Sequence, residues 1–269
     1  MKILSKFLLF VLLPTIFLGS ATKQVAEPGK NLVPLFIQFD NRVGAQDLVL
    51  DTKEYSNASG ESFNISQLQY FISNIILRRT DGKDYAIHQD DSYFLVQENK
   101  PATQQIKLMV PNGDYNQLTF VVGVDSLRNT MNISKRTGVL DPASSMDNGM
   151  YWSWNSGYIF LKMEGESPAA PADPTGNRKF RFHIGGFGGY SAPTINNIKS
   201  VTLDLPASGI VKARKGRKAT ISVSADILKV FNATTNLSIA THPSVMFSEY
   251  SLNIANNYHQ MFTHYRTEN

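Results

Sequence analysis

Short strand-forming runs separated by turn sequences constrain the fold of this chain more than any other feature. The clearest pair is residues 63–79 and 85–88, which Asp81 and Gly82 join in a dipeptide typical of tight hairpins. A second turn sequence, PNGD, lies at residues 111–114. Further runs rich in β-branched and aromatic residues cover residues 32–40, 47–50, 92–96, 106–110, 118–124, 198–205, 210–213 and 219–223. Together they predict an all-β fold, an antiparallel β-sandwich of about ten strands.

The C-terminal region departs from this strand pattern. Leu252, Ala255, Tyr258 and Phe262 are apolar residues at helical spacing, and they predict a short C-terminal helix. Residues 227–231 are compatible with either a strand or a helix, so their structure stays open at this point.

The domain organisation is simple. No repeat with a period of about 20–50 residues is visible, and no change of composition marks a second domain. We therefore predict one sandwich domain over residues 32–265. Residues 125–148 contain few strand formers and predict a long functional loop, and residues 165–177 predict a surface loop.

The N-terminus has the pattern of a secretory signal peptide, which we assign to residues 1–21. Lys2 and Lys6 supply its positive charge, residues 7–18 its apolar core and residues 18–21 the small residues at the cleavage site. The apolar run is shorter than the ~20 residues of a membrane span, and no later segment qualifies as one. The mature protein is therefore predicted to be exported to the periplasm or to be secreted or held at the cell surface.

The composition argues against several kinds of site and partner. The chain has no cysteine, which excludes disulfides, thiolate metal sites and cysteine nucleophiles. The formal net charge of +4 falls to +2 when Lys2 and Lys6 leave with the signal peptide. Charge and compartment together argue against nucleic acid as a partner.

Familiar catalytic signatures are also missing. The glycine run GGFGG at residues 185–189 lacks the lysine and serine or threonine of a phosphate-binding loop and does not open a helix. The chain has no nucleophile elbow and no His-Glu-x-x-His motif. Nothing in the sequence calls for an enzyme, and we predict a protein that is not one.

Large aromatic residues and one histidine are concentrated between residues 149 and 189. Trp152 and Trp154 are two residues apart, so on a strand their side chains would share a face. His183 alternates with Phe182 and Ile184 on the next extended segment and is predicted to point away from the core. This combination indicates a specialised site.

Histidine is the best remaining metal ligand in a chain without cysteine. Two or three imidazoles with an oxygen or thioether donor would suit copper, and zinc is the less favoured alternative. His242 precedes Pro243 and lies four residues before Met246, a thioether. His88 and His259 have polar neighbours and are interpreted as surface residues. Spacing alone does not show which histidines converge.

Several long, ordered motifs resemble the MbnP-like copper-binding family. The strongest are VGVDSLRN at residues 122–129, GVLDPA at 138–143, GMYWSWNSGYIFLKMEG at 149–165 and FHIGG at 182–186. Others are YFISNI at 70–75, HPSVM at 242–246 and NNYHQMF at 256–262. The resemblance extends over nearly all of the mature chain.

The resemblance implies an exported bacterial β-sandwich that is associated with methanobactin or copper. In such proteins a partner di-haem peroxidase oxidises one tryptophan to kynurenine, which joins histidines in a site for copper, Cu(I) or Cu(II). Carried over, the tryptophan is Trp152 or Trp154, and the metal ligands are His183, His242 and His264. Met246 and Asn41 are secondary candidates.

Two departures from the family pattern stand out. Asn41 occupies a position where some relatives are expected to have histidine. The usual His-rich tail is reduced to His264 and its neighbours.

Three other readings remain open. Both tryptophans could cap the sandwich without a functional role, with indole N–H groups bonded to Asn155 or Ser156. Alternatively, the chain is an exported binding module that recognises a glycan or peptide through Tyr151, Trp152 and Trp154. A copper oxidoreductase would additionally need an open coordination position and a substrate cleft.

Overall fold

The computed structural model describes residues 31–143, 149–153 and 156–269. The predicted signal peptide, residues 1–21, and Trp154 lie outside the described residues. Within the described ranges, no helix is long and apolar enough to cross a membrane.

Most of the chain is extended. The strands are β1 (Leu32–Val43), β2 (Gln46–Asp47), β3 (Tyr55–Ser56), β4 (Ser62–Phe63), β5 (Gln67–Arg79), β6 (Asp84–Ala86), β7 (Tyr93–Gln97), β8 (Gln105–Pro111), β9 (Gly113–Val122), β10 (Tyr151–Ser153), β11 (Gly157–Glu166), β12 (Lys179–Gly185), β13 (Lys199–Asp204), β14 (Val211–Ala213), β15 (Ala219–Asp226), β16 (Ser244–Val245) and β17 (Phe262–Glu268). Helix α1 is Ser126–Thr130 and helix α2 is Ser251–Tyr258.

Two sheets carry the architecture. The larger sheet has the strand order β13-β9-β5-β11-β12-β16, with β6 and β7 paired to β5, β10 to β11 and β14 to β9. The smaller has the order β17-β15-β1-β2, with β8 also paired to β1. Most pairings are antiparallel, whereas β1–β15 and β12–β16 are parallel. The all-β fold with a short C-terminal helix, predicted from the sequence, is confirmed.

The main core lies between the two sheets. Strand β1 alternates buried and half-buried residues, as a strand with one core face does. Its Phe39 ring makes edge contacts with Tyr70, Phe120 and Phe262 at centroid distances of 6.1, 5.9 and 6.0 Å. Because these rings come from β5, β9 and β17, they join both sheets in one apolar layer.

A second core covers the opposite face of the larger sheet. Every residue of strand β5 from Leu68 to Ser73 is buried, because successive residues face the main core and the second core in turn. Phe71 contacts Tyr158 at 5.7 Å on the outer side. Leu140, from the segment predicted to be a loop, is buried in the same cluster. That segment therefore adds a third layer, and it begins with helix α1.

The C-terminal region holds an edge strand that the sequence pattern did not predict. Helix α2 buries Ala255 and Tyr258, as predicted, and also Ile254, whereas Phe262, which was predicted to lie in the helix, belongs to β17. After it, β17 pairs with β15 at the edge of the smaller sheet. Its pattern is mostly polar and exposed, so it lacks the apolar alternation that marks a strand. Residues 227–231, which the sequence left undecided between a strand and a helix, contain a 3₁₀ helix, Ile227–Val230.

Candidate functional site

The outer face of β12 carries the first of the predicted site residues. Phe180, Phe182 and Ile184 are fully buried on the core side of this strand. His183 alternates with them and lies on the outer side, half-buried. Gly185 follows two residues later on that same outer side.

His183 takes part in a charged cluster with strand β11. Its Nε2 lies 2.6 Å from Oε1 of Glu164, and Nζ of Lys162 lies 3.5 Å from the same oxygen. The hydrogen bond from His183, with the charge of Lys162, holds the pKa of the Glu164 carboxyl below its usual value against the opposing effect of burial. A Cβ added to Gly149 would lie 2.7 Å from the Lys162 ammonium, so the turn that leads to Trp152 packs on this cluster.

The Trp152 indole packs directly on Gly185. A Cβ at Gly185 would lie 3.0 Å from Cζ3 of Trp152 and 2.5 Å from the carbonyl oxygen of Tyr158, so only glycine allows this approach. On its other side, the indole makes an edge contact with Phe247 at 6.5 Å. Since Gly185 and His183 are two residues apart, roughly 7 Å along the strand, the indole and the imidazole lie on one face of β12.

Strand β16 brings His242 and Met246 to the same edge of the sheet. Phe182 on β12 pairs with Val245 on β16 in parallel register. The residues that follow this pair are His183 and Met246. Met246 is 41% exposed. His242 precedes β16, where its ring stacks on Tyr250 at 3.5 Å and its Nδ1 lies 3.0 Å from the Thr241 hydroxyl.

His264 lies in a different part of the fold. It belongs to β17 of the smaller sheet, opposite Val223. Its Nε2 is 2.9 Å from the Thr267 hydroxyl, and a Cβ on Gly209 would lie 2.6 Å from its ring. Burial lowers the pKa of His264. The structure therefore does not bring His264 to the face that carries His183 and Trp152.

Asn41 also belongs to another network. It is 3% exposed on β1 of the smaller sheet. Its Oδ1 accepts a hydrogen bond from the Tyr70 hydroxyl at 2.7 Å, and its Nδ2 donates to Glu98 at 2.8 Å. Burial raises the pKa of Glu98. Both ends of the Asn41 amide thus serve a buried polar network between the sheets.

The remaining histidines have local partners. His88 lies near Asp90 on an exposed turn, with its Nδ1 3.9 Å from the carboxylate. Nδ1 of His259 lies 2.8 Å from the Asn256 carbonyl. Among residues 31–143, 149–153 and 156–269, no three histidine, aspartate or glutamate side chains are grouped so as to hold a metal ion.

Glu164 is the residue of this face that sequence reasoning missed. In the sequence, Lys162 and Glu164 alternate with Leu161 and Met163, which are buried on β11, and this alternation could have indicated Glu164. That alternation places both charges on the outer face, but the register with β12 decides that they meet His183.

Comparison with known proteins places this fold. The family model described as MbnP matches residues 33–247. A solved structure, MbnP from Methylosinus trichosporium, superposes with a TM-score of 0.55 at 17% sequence identity, covering 82% of each chain. At that identity the likeness shows a shared fold. No curated protein matches the chain.

Proposed function

The chain belongs to the MbnP family, and from this premise we propose that it is an exported copper-binding protein that sequesters or delivers the metal without catalysing a reaction. In this proposal residues 1–21 are removed on export to the periplasm or cell surface. A di-haem peroxidase then matures the site by oxidising Trp152 to kynurenine.

One observation carries the proposal: the Trp152 indole rests on Gly185, on the face of β12 that also holds His183. Indole offers no useful ligand atom for a metal, whereas kynurenine presents an amine and a carbonyl. The conversion removes one carbon and adds one oxygen. A modified Trp152 would therefore supply a donor group on the same side of the strand as the imidazole.

The donor set that supports the proposal is centred on His183. Imidazole suits copper in either oxidation state, and the thioether of Met246 suits Cu(I). Nε2 of His183 lies 2.6 Å from the Glu164 carboxylate, the kind of hydrogen bond that orients a metal-binding imidazole through its second ring nitrogen. His242 is a further imidazole at the same sheet edge. His264, on the other sheet, is not included in the proposed site.

Copper analysis of protein purified from its native host tests the metal. The wild type and the matched control His264→Asn are expected to contain stoichiometric copper, and His183→Asn is expected to lose it. Copper-free wild-type protein from that host would contradict the proposal. Equal loss in both variants would contradict the assignment to His183.

Intact-mass analysis of the same samples tests the modification. The wild type is expected to carry the mass change of one lost carbon and one gained oxygen. Trp152→Phe is expected to abolish it and Trp154→Phe to preserve it. The opposite pattern would move the modified position to Trp154.

The half-exposed aromatic edge beside this face favours a second candidate, a module that binds a glycan or peptide. Phe247 is 38% exposed next to Trp152, and such rings can stack on sugars. Glycan binding that disappears in Trp152→Ala, in protein that contains no copper, would support this alternative over the first.

A further inference from the structure

Three segments that join neighbouring strands meet at one end of the sandwich and bring basic side chains together. They comprise residues 78–84, 111–114 and 212–218. The Thr80 N–H donates to the Asp114 carbonyl oxygen at 3.0 Å, which joins the first segment to the second. The Arg214 guanidinium donates to the Gly113 carbonyl oxygen at 2.8 Å, which joins the second to the third. We name the three segments together the basic end.

The basic end contains more positive charges than its own acidic residues can neutralise. It holds eight basic and three acidic residues. Each acidic residue is paired with an arginine: Asp81 with Arg79, Asp84 with Arg78 and Asp114 with Arg214. The other basic side chains are all exposed and form no ion pair within the described ranges: Lys83, Lys212, Lys215, Arg217 and Lys218.

Charges around the basic end reduce this excess without cancelling it. The Asp204 carboxylate, at the end of β13, offsets one positive charge. Asn269 accepts a hydrogen bond from the Lys212 backbone N–H, so a carboxylate at that residue would offset one more. Glu268 on β17 is already paired with Arg266. The basic end therefore keeps a net positive charge.

The unpaired cations suit a diffuse anionic surface better than a single carboxylate. A guanidinium can bind one carboxylate through two parallel hydrogen bonds, but three of the four arginines here are already paired within the chain. Four of the five unpaired cations are lysines, and a lysine is a point charge on a flexible stem. The tip at Gly216 is open, since a Cβ there would meet nothing within 4 Å. Side chains of this kind can spread over several phosphate groups.

An exposed apolar side chain lies beside these charges. Met109 is 44% exposed on β8, two residues before the segment 111–114 begins. On the adjacent strand β1, the half-buried ring of Phe36 lies 5.0 Å from the Lys218 ammonium. Basic side chains next to exposed apolar ones suit the interface of an anionic membrane, where phosphate groups border hydrocarbon.

We propose that the basic end binds peripherally to the anionic headgroups of a phospholipid bilayer. Each Lys or Arg that comes close to such a surface strengthens binding by about fivefold. Several unpaired cations that project from one end of the molecule can therefore hold it at the surface without a membrane-spanning segment.

This inference goes beyond the proposed copper function and does not depend on it. His183 pairs with Lys162, and Lys162 pairs with Gln69 on β5. Arg79, in the basic end, lies further along the same strand, roughly 30 Å from Gln69 in extended chain. The His183 face would therefore stay clear of a membrane that the basic end contacts.

The test is co-sedimentation of the copper-free protein with vesicles of phosphatidylcholine mixed with phosphatidylglycerol, against vesicles of phosphatidylcholine alone. We expect binding to the mixed vesicles only, and weaker binding as salt is added, because salt screens exposed charges. The triple variant Lys215→Gln, Arg217→Gln, Lys218→Gln is expected to bind about a hundredfold more weakly, at about fivefold for each lost charge.

A second triple variant controls for net charge. Lys135→Gln, Lys179→Gln and Lys229→Gln remove three exposed lysines outside the basic end, and the combined variant has the same net charge as the first. It is expected to bind the mixed vesicles like the wild type. Melting temperatures close to the wild-type value are expected for both variants, because all six side chains are exposed.

Three results would overturn the proposal. One is wild-type protein that stays in solution with the mixed vesicles or binds both kinds of vesicle equally. Another is equal loss of binding in the two triple variants, which would make net charge the cause. The third is a dimer that the basic-end variant dissociates, in protein that binds no vesicles, because the occupant would then be a second copy of the chain. Copper content in protein from the native host is expected to be unchanged in both variants, so failure here leaves the copper proposal intact.

Discussion

His183 and His264 are both histidines on strands, yet their surroundings differ in kind. His183 lies against the Glu164 carboxylate, with the Trp152 indole on the same face of β12. His264 lies against the Thr267 hydroxyl and the Gly209 backbone. The first setting contains a carboxylate, whereas the two named contacts of His264 are neutral groups.

The difference teaches which imidazole has surroundings that suit a metal ion. A carboxylate stabilises a metal cation beside it. Burial among neutral groups opposes a charge, which is why the pKa of His264 is lowered. In the sequence the two histidines are equivalent candidates for a metal ligand, and their neighbours in the structure distinguish them.

The largest expected effect breaks the contact on which the His183 face depends. In Gly185→Ala, the new methyl group would collide with the Tyr158 carbonyl and the Trp152 indole. We expect a loss of about 2–3 kcal/mol in the free energy of unfolding, as for an overpacked core. Urea denaturation measures it.

Gly113→Ala is the matched control for that substitution. A Cβ at Gly113 meets only the flexible end of the Arg79 side chain, at 3.1 Å. It should cost less than ~1 kcal/mol, because that side chain can move aside. Equal losses in the two variants would contradict the close approach of the Tyr158 carbonyl and the Trp152 indole to Gly185.

A smaller effect is expected from Glu164→Gln, which removes the anion that distinguishes the His183 face. We expect a loss of about 1 kcal/mol at neutral pH, the scale of a partly buried charged hydrogen bond. The pKa of Glu164 is lowered in the folded state, so its contribution is present above the ordinary glutamate pKa and is lost as pH falls through the folded-state pKa.

Denaturant unfolding over a range of acidic pH measures this contribution. The Gln variant should be less stable than the wild type at neutral pH and should approach it in acid. A stability difference that stays constant with pH would contradict the role of the charged carboxylate.

The smallest effect concerns His264. Because its pKa is lowered on folding, the unfolded chain binds the proton more readily. The contribution of His264 to stability is therefore fully present above the ordinary histidine pKa of about 6.5 and is lost as pH falls below that value. His264→Gln, which keeps a donor near Thr267, should flatten the stability profile between about pH 7 and about pH 5.

Tyr265→Gln serves as the control on the same strand. Tyr265 is 62% exposed, so this variant should keep the wild-type pH dependence. A His264→Gln profile that coincides with that of the wild type would remove the contrast between the two histidines.

Much of the fold follows from local pattern. The alternation in β1 and the hairpin at Asp81 and Gly82 are visible in the sequence because side-chain direction along a strand has a period of two. Strand β17 escaped prediction because an exposed edge strand has no apolar alternation to reveal it. The sequence could not distinguish it from a polar tail.

The site was only partly predictable for a related reason. The outward direction of His183 follows from its buried neighbours Phe182 and Ile184. Its meeting with Glu164 depends on the pairing of β11 with β12.

The sequence by itself determined the all-β class, the short C-terminal helix and the family, because these depend on periodicity and on long ordered motifs. Only the tertiary structure decided that Trp152 shares a face with His183 while His264 lies on the other sheet. The physical reason is that strand register and sheet membership are set by contacts between residues far apart in the chain. No local pattern of side chains specifies those contacts.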